Sequence, residues 1–586
     1  MKNNLLFRKQ QLRLPTHACP KTLADRFIHY FSDKIQTIKD EFTDQHPPST
    51  SDTPAAQAAE FSEFTPIDEK SLEKIIMKGN SKSCGLDPLP TYLLKSALPA
   101  LLPSLCSIVN KSLSSGVMPD SLKISQVTPF LKKPSLDVEN FKHFRPVSNL
   151  PYIGKLIERV AVTQMDTHMT IHNLHEVYQS AYRAHHSTES ALLRVSNDVL
   201  RSIDRRRCVL LTLLDLSAAF DTVDHGKFLD RLESGFGVTG RARQWLESYF
   251  LERYQAVHIN SSSSVRLPLT TGFPQGSVIG PFGFKPYTKP LTEIAAKHNV
   301  SIHLYADDTQ LYVSCDPEDI ESAVCRMEAC IRDIRKWMHE NHLKLNDSKT
   351  EFLAIGSKHQ LSQLGDVSIH IGEESIPASA SARNIGVMFD QEMNMKEQVN
   401  QITRACYGQL RGISQIRQYL TTEAAERLVH AFVTSRLDNH NSLLYGVPDY
   451  LLNKLQMIQN QAARVISRQK RSDHITQTLK DLHWLPIKFR VDYKILLFAY
   501  KSQHSAAPVY LSDLLSPYIP TRSLRSEQQL RLEQPRVRST RYGERAFSVA
   551  APRLWNELPS DVKEAGTLEA FKSGLKTHLF KIAYNV

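Results

Sequence analysis

The chain of 586 residues is 41% hydrophobic and 23% charged, which is typical of a globular protein large enough to form several domains. Its formal net charge of +11 favours a polyanionic partner, because Lys and Arg provide most of the non-specific affinity for phosphate backbones. The eight cysteines form no Cys-x-x-Cys pair, and no apolar run is long enough to cross a bilayer. We therefore expect an intracellular protein of the nucleus or cytoplasm, neither secreted nor membrane-spanning, with its oligomeric state left open.

The N-terminal part is predicted to hold one helix and one linker. Apolar residues at helical spacing predict an amphipathic helix from Leu23 to Phe42. Residues 46–60 are rich in Pro, Ser, Thr and Ala, which predicts a disordered linker. Ordered structure is expected to resume at Asp68 with a helix through Met77, and helices are expected to dominate from 90 to 210.

Two segments in the middle of the chain are predicted to carry acids at the ends of strands. The apolar run from Val209 to Leu214 predicts a buried strand that ends at Asp215. Further on, residues 301–304 and 310–313 are short apolar runs that flank Tyr305-Ala306-Asp307-Asp308, which predicts a hairpin with two carboxylates at its tip. Adjacent carboxylates repel each other, so such a tip is costly unless a cation compensates it.

These acids fit the requirements of a two-metal phosphoryl-transfer site. Such a site needs carboxylates from separate strands that hold cations about 3.5–4 Å apart. The competing interpretation is a solvated turn or a helix cap, which is the common role of a lone Asp-Asp pair. The stretch from Gly272 to Pro281 lies between the acids along the chain and is punctuated by Gly and Pro, so its backbone could approach a ligand closely.

The rest of the chain is predicted to be mainly helical. Residues 320–339 have one apolar face and should brace the sheet, while residues 352–355 and 385–389 are predicted to be closing strands. Beyond residue 392 the helices carry basic residues, either as a solvated face or as a nucleic-acid surface. These residues are Arg404, Arg411, Arg417, Arg464, Arg468, Lys470 and Arg471. Trp484 and Trp555, each beside Leu and Pro, are predicted to be core residues.

The order of the motifs resembles the reverse transcriptase of non-LTR retrotransposons of the LINE type, nearest the L2/CR1-like elements. The matching segments are Thr128–Pro134, Asn140–Leu150, Tyr178–Glu189, Leu214–His225, the Pro274-Gln275-Gly276 segment, the Tyr305–Asp308 box and Leu343–Thr350. The resemblance extends from near residue 70 to the C-terminus.

The resemblance implies an α+β fold of the right-hand polymerase type, with an antiparallel palm sheet. It divides the chain into an N-terminal helix and linker (1–66), fingers and palm (67–390), a helical thumb-like region (391–471) and a mostly helical C-terminal extension (472–586). The implied activity is RNA-directed DNA polymerisation with two Mg²⁺ ions, or Mn²⁺ in their place. The implied partners are an RNA template, a DNA primer or target DNA, and deoxynucleoside triphosphates, with no membrane.

The same resemblance implies roles for individual residues. Asp215, Asp307 and Asp308 are the catalytic metal ligands, and Phe220 is the aromatic gate that excludes a ribose 2′-hydroxyl. The remaining nucleotide-binding residues are Lys133, Arg145, Gln275, Gly276, Tyr305 and Lys349. Among these, Lys349 matches the position proposed to protonate pyrophosphate, although a solvated lysine is the simpler interpretation. The pair His185-His186 is expected to be structural or to contact template, since no other ligand stands at metal spacing.

Two departures from the family leave a second hypothesis open. The chain begins where the linker ahead of the polymerase is expected, which leaves no room for the N-terminal endonuclease of such elements. Pro286 falls where a helix should back the active site, and a proline inside a helix costs about 3 kcal/mol. The alternative to an active polymerase is therefore a catalytically dead, truncated remnant that only binds nucleic acid.

Overall fold

The computed structural model describes residues 13–43, 59–79, 84–519 and 530–586. Nearly all of the linker predicted at 46–60 lies outside these residues. No described helix combines the length and apolar character that a membrane span requires.

The strands are short and distributed along the chain. They are β1 (Ile124–Leu131), β2 (Phe144–Asn149), β3 (Cys208–Leu214), β4 (Leu216–Ser217), β5 (Tyr254–Ile259), β6 (Ser262–Ser263), β7 (Leu267–Pro268), β8 (Ser301–Tyr305), β9 (Asp308–Cys315), β10 (Lys344–Leu345), β11 (Glu351–Ile355), β12 (Ser368–Ile371), β13 (Glu374–Pro377), β14 (Ser381–Asn384) and β15 (Val387–Asp390).

The helices account for most of the regular structure. They are α1 (Pro20–Thr43), α2 (Glu69–Lys78), α3 (Thr91–Ser96), α4 (Leu98–Ser115), α5 (Tyr152–Ile171), α6 (Thr188–Asp204), α7 (His225–Phe236), α8 (Gly240–Phe250), α9 (Ile279–Tyr287), α10 (Pro290–Lys297), α11 (Ile320–Glu340), α12 (Lys358–Leu364), α13 (Lys396–Ile416), α14 (Thr422–Val429), α15 (Ser435–Leu437), α16 (Asp449–Ser467), α17 (Thr476–Asp481), α18 (Ile487–Gln503), α19 (Val509–Ser512), α20 (Phe547–Glu557), α21 (Ser560–Lys563) and α22 (Leu568–Tyr584).

The chain folds into two compact units that each combine separate segments. The first unit comprises Met1–Glu176, Leu216–Leu291 and Ile334–Leu345. The second comprises Val177–Asp215, Thr292–Asp333 and Asn346–Val586.

The first unit is built around a sheet in which β1 is antiparallel to β2 and parallel to β5. Helix α1 covers this sheet, and the ring of Phe27 stacks 4.3 Å from that of Phe141. The predicted helices over 23–42 and from Asp68 are confirmed as α1 and α2. Asp68 caps α2, since its carboxylate accepts a hydrogen bond from the Ser71 N–H at 2.8 Å.

The second unit contains a four-stranded antiparallel sheet with the order β11-β3-β9-β8. The apolar run predicted as a buried strand is β3, which lies between β11 and β9 with nearly every residue buried. The predicted hairpin is β8–β9, and the predicted closing strand at 352–355 is β11. The antiparallel sheet expected to carry the acids is therefore present.

One prediction about an element needs correction, and one is confirmed. The strand expected at 385–389 is β15, which pairs with β14 in a separate two-stranded sheet instead of closing the sheet of the acids. Pro286 lies inside α9 as expected, and the helix ends one residue after it, at Tyr287. At the other end of α9, the Glu158 carboxylate accepts hydrogen bonds from the N–H groups of Val278 and Ile279.

Candidate active site

Asp215 lies directly after β3, and the segment that follows β10 holds it in place. The Asp215 carbonyl accepts a hydrogen bond from the Asn346 N–H at 2.9 Å. Its carboxylate Oδ2 accepts hydrogen bonds from Lys349 Nζ at 2.9 Å and from Asn346 Nδ2 at 3.3 Å. Lys349 is therefore paired with an acid, while 65% of its side chain stays exposed to solvent.

Asp307 and Asp308 lie at the tip of the β8–β9 hairpin, where Tyr305 and Asp308 form the last cross-strand pair. The two-residue connection gives Ala306 a φ of +58°, a conformation that residues with a side chain rarely adopt. The Ala306 N–H donates a hydrogen bond to Gln179 Oε1 at 3.0 Å. Gln179 thus holds the turn that presents the two acids.

The three carboxylates are close enough to influence each other's ionisation. Burial, followed by the charges of Asp307 and Asp215, raises the pKa of Asp308 to about 6. The pKa of Asp307 is also raised, mainly by burial and further by Asp215, while the charge of Lys349 opposes the rise. An acid cluster of this kind is stabilised by any cation that enters it.

A cavity of about 140 Å³ opens beside Asp215 and Asp308. Lys349, Arg383 and Gln310 also line it, so its walls carry both signs of charge. Across the residues that the structure describes, no group of three or more Asp, Glu, His or Cys is arranged to hold a metal ion. The donor chemistry of the acid cluster nevertheless fits a hard divalent cation, because carboxylate oxygens are the ligands that Mg²⁺ prefers.

The predicted residues Phe220, Gln275 and Gly276 lie in the first unit. The half-buried Phe220 ring stacks 4.5 Å from the buried ring of Phe284 in α9. Gln275 Nε2 donates hydrogen bonds to both carboxylate oxygens of Asp221, at 2.9 and 3.0 Å. Burial raises the pKa of Asp221 to about 6, and the hydrogen bond from Gln275 acts in the opposite direction.

The glycines of this loop are required by close backbone approaches. Gly276 has a φ of +117°, and a Cβ at this position would lie 2.6 Å from the Ser148 carbonyl oxygen. A Cβ on Gly272, with a φ of +78°, would lie 2.4 Å from the Asp221 carbonyl oxygen. The Ser148 N–H also donates a hydrogen bond to the Gln275 carbonyl at 2.8 Å, which ties the loop to β2.

The two basic residues predicted to grip a triphosphate lie at the β1–β2 hairpin of the first unit. Arg145 is exposed on β2 opposite Phe130, and Lys133 is exposed just after the end of β1. Tyr305 is half-buried beside the acids. The pKa of Tyr182 is raised mainly by burial and further by the charges of Asp307 and Tyr305.

Three residues of the site had no predicted role. Gln179 holds the turn before Asp307, Asn346 holds Asp215, and Asp221 holds Gln275. All three stand inside the motifs that carry the resemblance, and that position was the available signal. Among the basic residues beyond 392, Arg404 and Arg411 are exposed as expected. Arg417 is buried and donates hydrogen bonds to the carbonyls of Val465 and Ile466, so it is not a surface cation.

Residues 131–389 match the family described as Reverse transcriptase (RNA-dependent DNA polymerase). The chain is 25% identical over 411 residues to the probable RNA-directed DNA polymerase from transposon BS of Drosophila melanogaster, covering 68% of this chain and 44% of that protein. It is 23% identical over 403 residues to the RNA-directed DNA polymerase from mobile element jockey of the same species, covering 66% and 42%.

A third relative is the putative 115 kDa protein in type-1 retrotransposable element R1DM of Drosophila melanogaster, 24% identical over 343 residues, which cover 57% of this chain and 31% of that protein. The chain thus spans less than half the length of these relatives. The matched residues include the acids, the Gln275 loop and the strands that carry them. Residues 131–389 therefore match the reverse transcriptase family, and the chain is similar to enzymes named as RNA-directed DNA polymerases of non-LTR retrotransposons.

Proposed function

We propose that the chain is an active RNA-directed DNA polymerase that adds deoxynucleotides to a primer 3′-hydroxyl. The observation that supports this most directly is the acid cluster of Asp215, Asp307 and Asp308. Two separate strand ends deliver these acids to one place, and the charge of one raises the pKa of another. Phosphoryl transfer depends mainly on positioning and charge neutralisation, which such a cluster can provide.

The three acids would hold two Mg²⁺ ions, or Mn²⁺, with Asp215 and Asp307 as the principal ligands and Asp308 in support. The ions when bound would activate the attacking hydroxyl and stabilise the leaving group. Lys349 carries a proton on Nζ close to Asp215, so it can protonate the departing pyrophosphate.

The nucleotide contacts are proposed from the resemblance and from the local structure. Phe220 would exclude the ribose 2′-hydroxyl, and stacking on Phe284 would hold the Phe220 ring in place. Gln275 and Gly276 would contact template and nucleotide. Tyr305 would also bind the nucleotide. Lys133 and Arg145 would bind the triphosphate as a point charge and a bidentate guanidinium.

The wider organisation is proposed in the same way. Residues 67–390 would form fingers and palm, residues 391–471 a thumb on the template–primer duplex, and residues 472–586 a C-terminal extension. The partners would be an RNA template, a DNA primer or target DNA, and deoxynucleoside triphosphates, met in the nucleus or cytoplasm. The assignment to L2/CR1-like elements stays a prediction.

Primer extension tests the proposal. The purified chain is given an RNA template annealed to a DNA primer, with Mg²⁺ and deoxynucleotides, beside the variants Asp307→Asn and Asp366→Asn. Asp366 is an exposed acid outside the cluster and serves as the matched control. We expect extension by the wild type and by Asp366→Asn, and a loss of at least about 1,000-fold in Asp307→Asn, since catalytic electrostatics of this kind contribute several kcal/mol.

Duplex binding, measured by fluorescence anisotropy, distinguishes an active polymerase from a remnant that only binds nucleic acid. A wild-type chain that binds the template–primer duplex tightly but extends no primer would be the nucleic-acid-binding remnant. Extension that survives Asp307→Asn would contradict the assignment of the acids.

A further inference from the structure

Tyr510 in α19 lies in the C-terminal part of the chain, beyond the residues that match the reverse transcriptase family. Its side chain is only 1% exposed. The phenol oxygen lies 2.8 Å from Ser180 Oγ and 3.0 Å from Ser190 Oγ. The Tyr510 ring lies 5.0 Å from the ring of His303. His303 belongs to β8, just before the turn that carries Asp307 and Asp308, which we call the catalytic turn.

We infer that Tyr510 is a positioning residue for the turn that carries Asp307 and Asp308. The C-terminal region is then part of the polymerase's working unit and is more than an appended nucleic-acid-binding segment. This inference rests on the proposed function and deepens it.

The hydrogen bonds around Tyr510 form one directed chain. Ser190 Oγ donates a hydrogen bond to the Ser187 carbonyl at 2.9 Å, so the Tyr510 hydroxyl is the donor in its hydrogen bond to Ser190 Oγ. The Tyr510 oxygen in turn accepts a hydrogen bond from Ser180 Oγ, and Ser180 Oγ then accepts a hydrogen bond from His303 Nε2 at 2.9 Å. Burial lowers the pKa of His303 to about 3, so its ring is neutral and one tautomer satisfies this chain.

Ser180 is connected to the catalytic turn through the backbone. The Ser180 N–H donates to the Leu304 carbonyl, and the Leu304 N–H donates to the Tyr178 carbonyl, each at 2.9 Å. Residues 178–180 therefore run alongside β8 as a short parallel partner. Gln179, the middle residue of this partner, accepts the hydrogen bond from the Ala306 N–H.

Two further contacts hold Tyr510 in place. Arg194 Nη1 donates to the Tyr510 carbonyl at 2.9 Å, and the ring of His186 packs edge-on against the phenol at 5.7 Å. The pair His185-His186 thus contributes one of its members to packing, as the structural interpretation expected. Burial raises the pKa of Tyr510, which keeps the phenol protonated as the donor that the chain requires.

The phenol hydroxyl separates positioning from simple packing. Tyr510→Phe retains the ring but removes the group that joins Ser180 to Ser190. Tyr518→Phe is the matched control, because Tyr518 lies in the same region and its side chain is 48% exposed. All measurements use the full-length chain well below its melting temperature.

For Tyr510→Phe we expect kcat for primer extension to fall about tenfold, because small displacements of catalytic groups have large effects on rate. The KM for deoxynucleotide and the Kd for duplex should change less than twofold. Tyr518→Phe should match wild type, and adding Ser180→Ala to Tyr510→Phe should lower kcat little further, since both act on one hydrogen-bond chain. An unchanged kcat in Tyr510→Phe would overturn the inference.

Amide hydrogen exchange provides a readout that is independent of polymerase activity. We expect the amides of Leu304 and Ala306 to exchange faster in Tyr510→Phe, while the amides of β3 keep their wild-type rates. Equal exchange at Leu304 and Ala306 in both proteins would also overturn the inference. If the wild type extends no primer, the proposed function fails, and the exchange rates still decide whether Tyr510 positions the turn.

Discussion

The ammonium group of Lys349 lies 2.9 Å from the carboxylate of Asp215, so a flexible cation neutralises the acid that follows β3. The Lys349 side chain is 65% exposed and that of Asp215 is 32% exposed. Exposed ion pairs contribute only about 0–1 kcal/mol to stability, so this pair can open at little cost. Lys349 and a bound divalent cation would therefore compete for the same carboxylate.

Lys349→Met should raise the affinity of the free protein for Mn²⁺ by about 3- to 10-fold, because the competing positive charge is removed from the acid cluster. Mn²⁺ binding can be followed by electron paramagnetic resonance. Lys358→Met removes an exposed lysine elsewhere and should leave the affinity unchanged. Equal or weaker Mn²⁺ binding by Lys349→Met would show that Lys349 does not compete with the cation.

Phe220→Ala should weaken discrimination against ribonucleotides by about 10- to 100-fold, because the ring that is proposed to block the 2′-hydroxyl is removed. The measurement is the ratio of kcat/KM for a deoxynucleotide to that for the matching ribonucleotide. Phe432→Ala, which changes an exposed phenylalanine, is the control. If the ratio stays at the wild-type value, Phe220 is not the sugar gate.

Asp221→Asn should raise the KM for deoxynucleotide by about 3- to 10-fold, which corresponds to the loss of one hydrogen bond. Asp221 holds the Gln275 side chain through both carboxylate oxygens, and asparagine offers only one acceptor. Steady-state kinetics on a fixed duplex provides the measurement. Gln275→Ala should add little in the Asp221→Asn background, and fully additive effects would contradict a shared role.

Asp492→Asn should make the protein more stable at pH 7 by about 1–3 kcal/mol. Burial raises the pKa of Asp492 to about 6, above its ordinary value of 3.8. The folded state therefore binds this proton more tightly than the unfolded state, so the contribution of Asp492 to stability is fully present below pH 3.8 and is lost as the pH rises through about 6. Above that pH the wild type carries a buried charge that the variant lacks.

Urea unfolding between pH 4 and pH 8 checks this prediction. The difference in free energy of unfolding between Asp492→Asn and wild type should grow from near zero at pH 4 to its full value at pH 7. Asp561→Asn changes an exposed acid and should show no such trend. A difference that is constant across the range would mean that Asp492 does not titrate as described.

The parts of the site that could be predicted from sequence are those with local signals. A continuous apolar run identified β3, and turn residues between two β-rich runs identified the β8–β9 hairpin. No prediction covered the sheet of the first unit, in which Pro129 and Pro146 face each other in the β1–β2 pair although proline is disfavoured inside strands.

Contacts between distant segments could not be predicted in the same way. The spacing of Arg417 suggests an exposed helix face, but the buried guanidinium satisfies two carbonyls near the end of α16. The hydrogen bond between Ser180 and Tyr510 joins residues 330 positions apart, and no local pattern indicates it. Gln179 and Asp221 likewise gain their roles only when the loops that they hold are in place.

The sequence separation between Ser180 and Tyr510 also bears on the synthesis of the protein. Tyr510 is synthesised after all the strands and both acidic segments have emerged from the ribosome. Until then the nascent chain lacks the phenol that positions the turn carrying Asp307 and Asp308. Long-range contacts of this kind form late, because the intervening chain must be ordered first. Competence for DNA synthesis should therefore arise only after residue 510 has been synthesised, and premature termination before residue 510 should yield chains that fold in part but copy poorly.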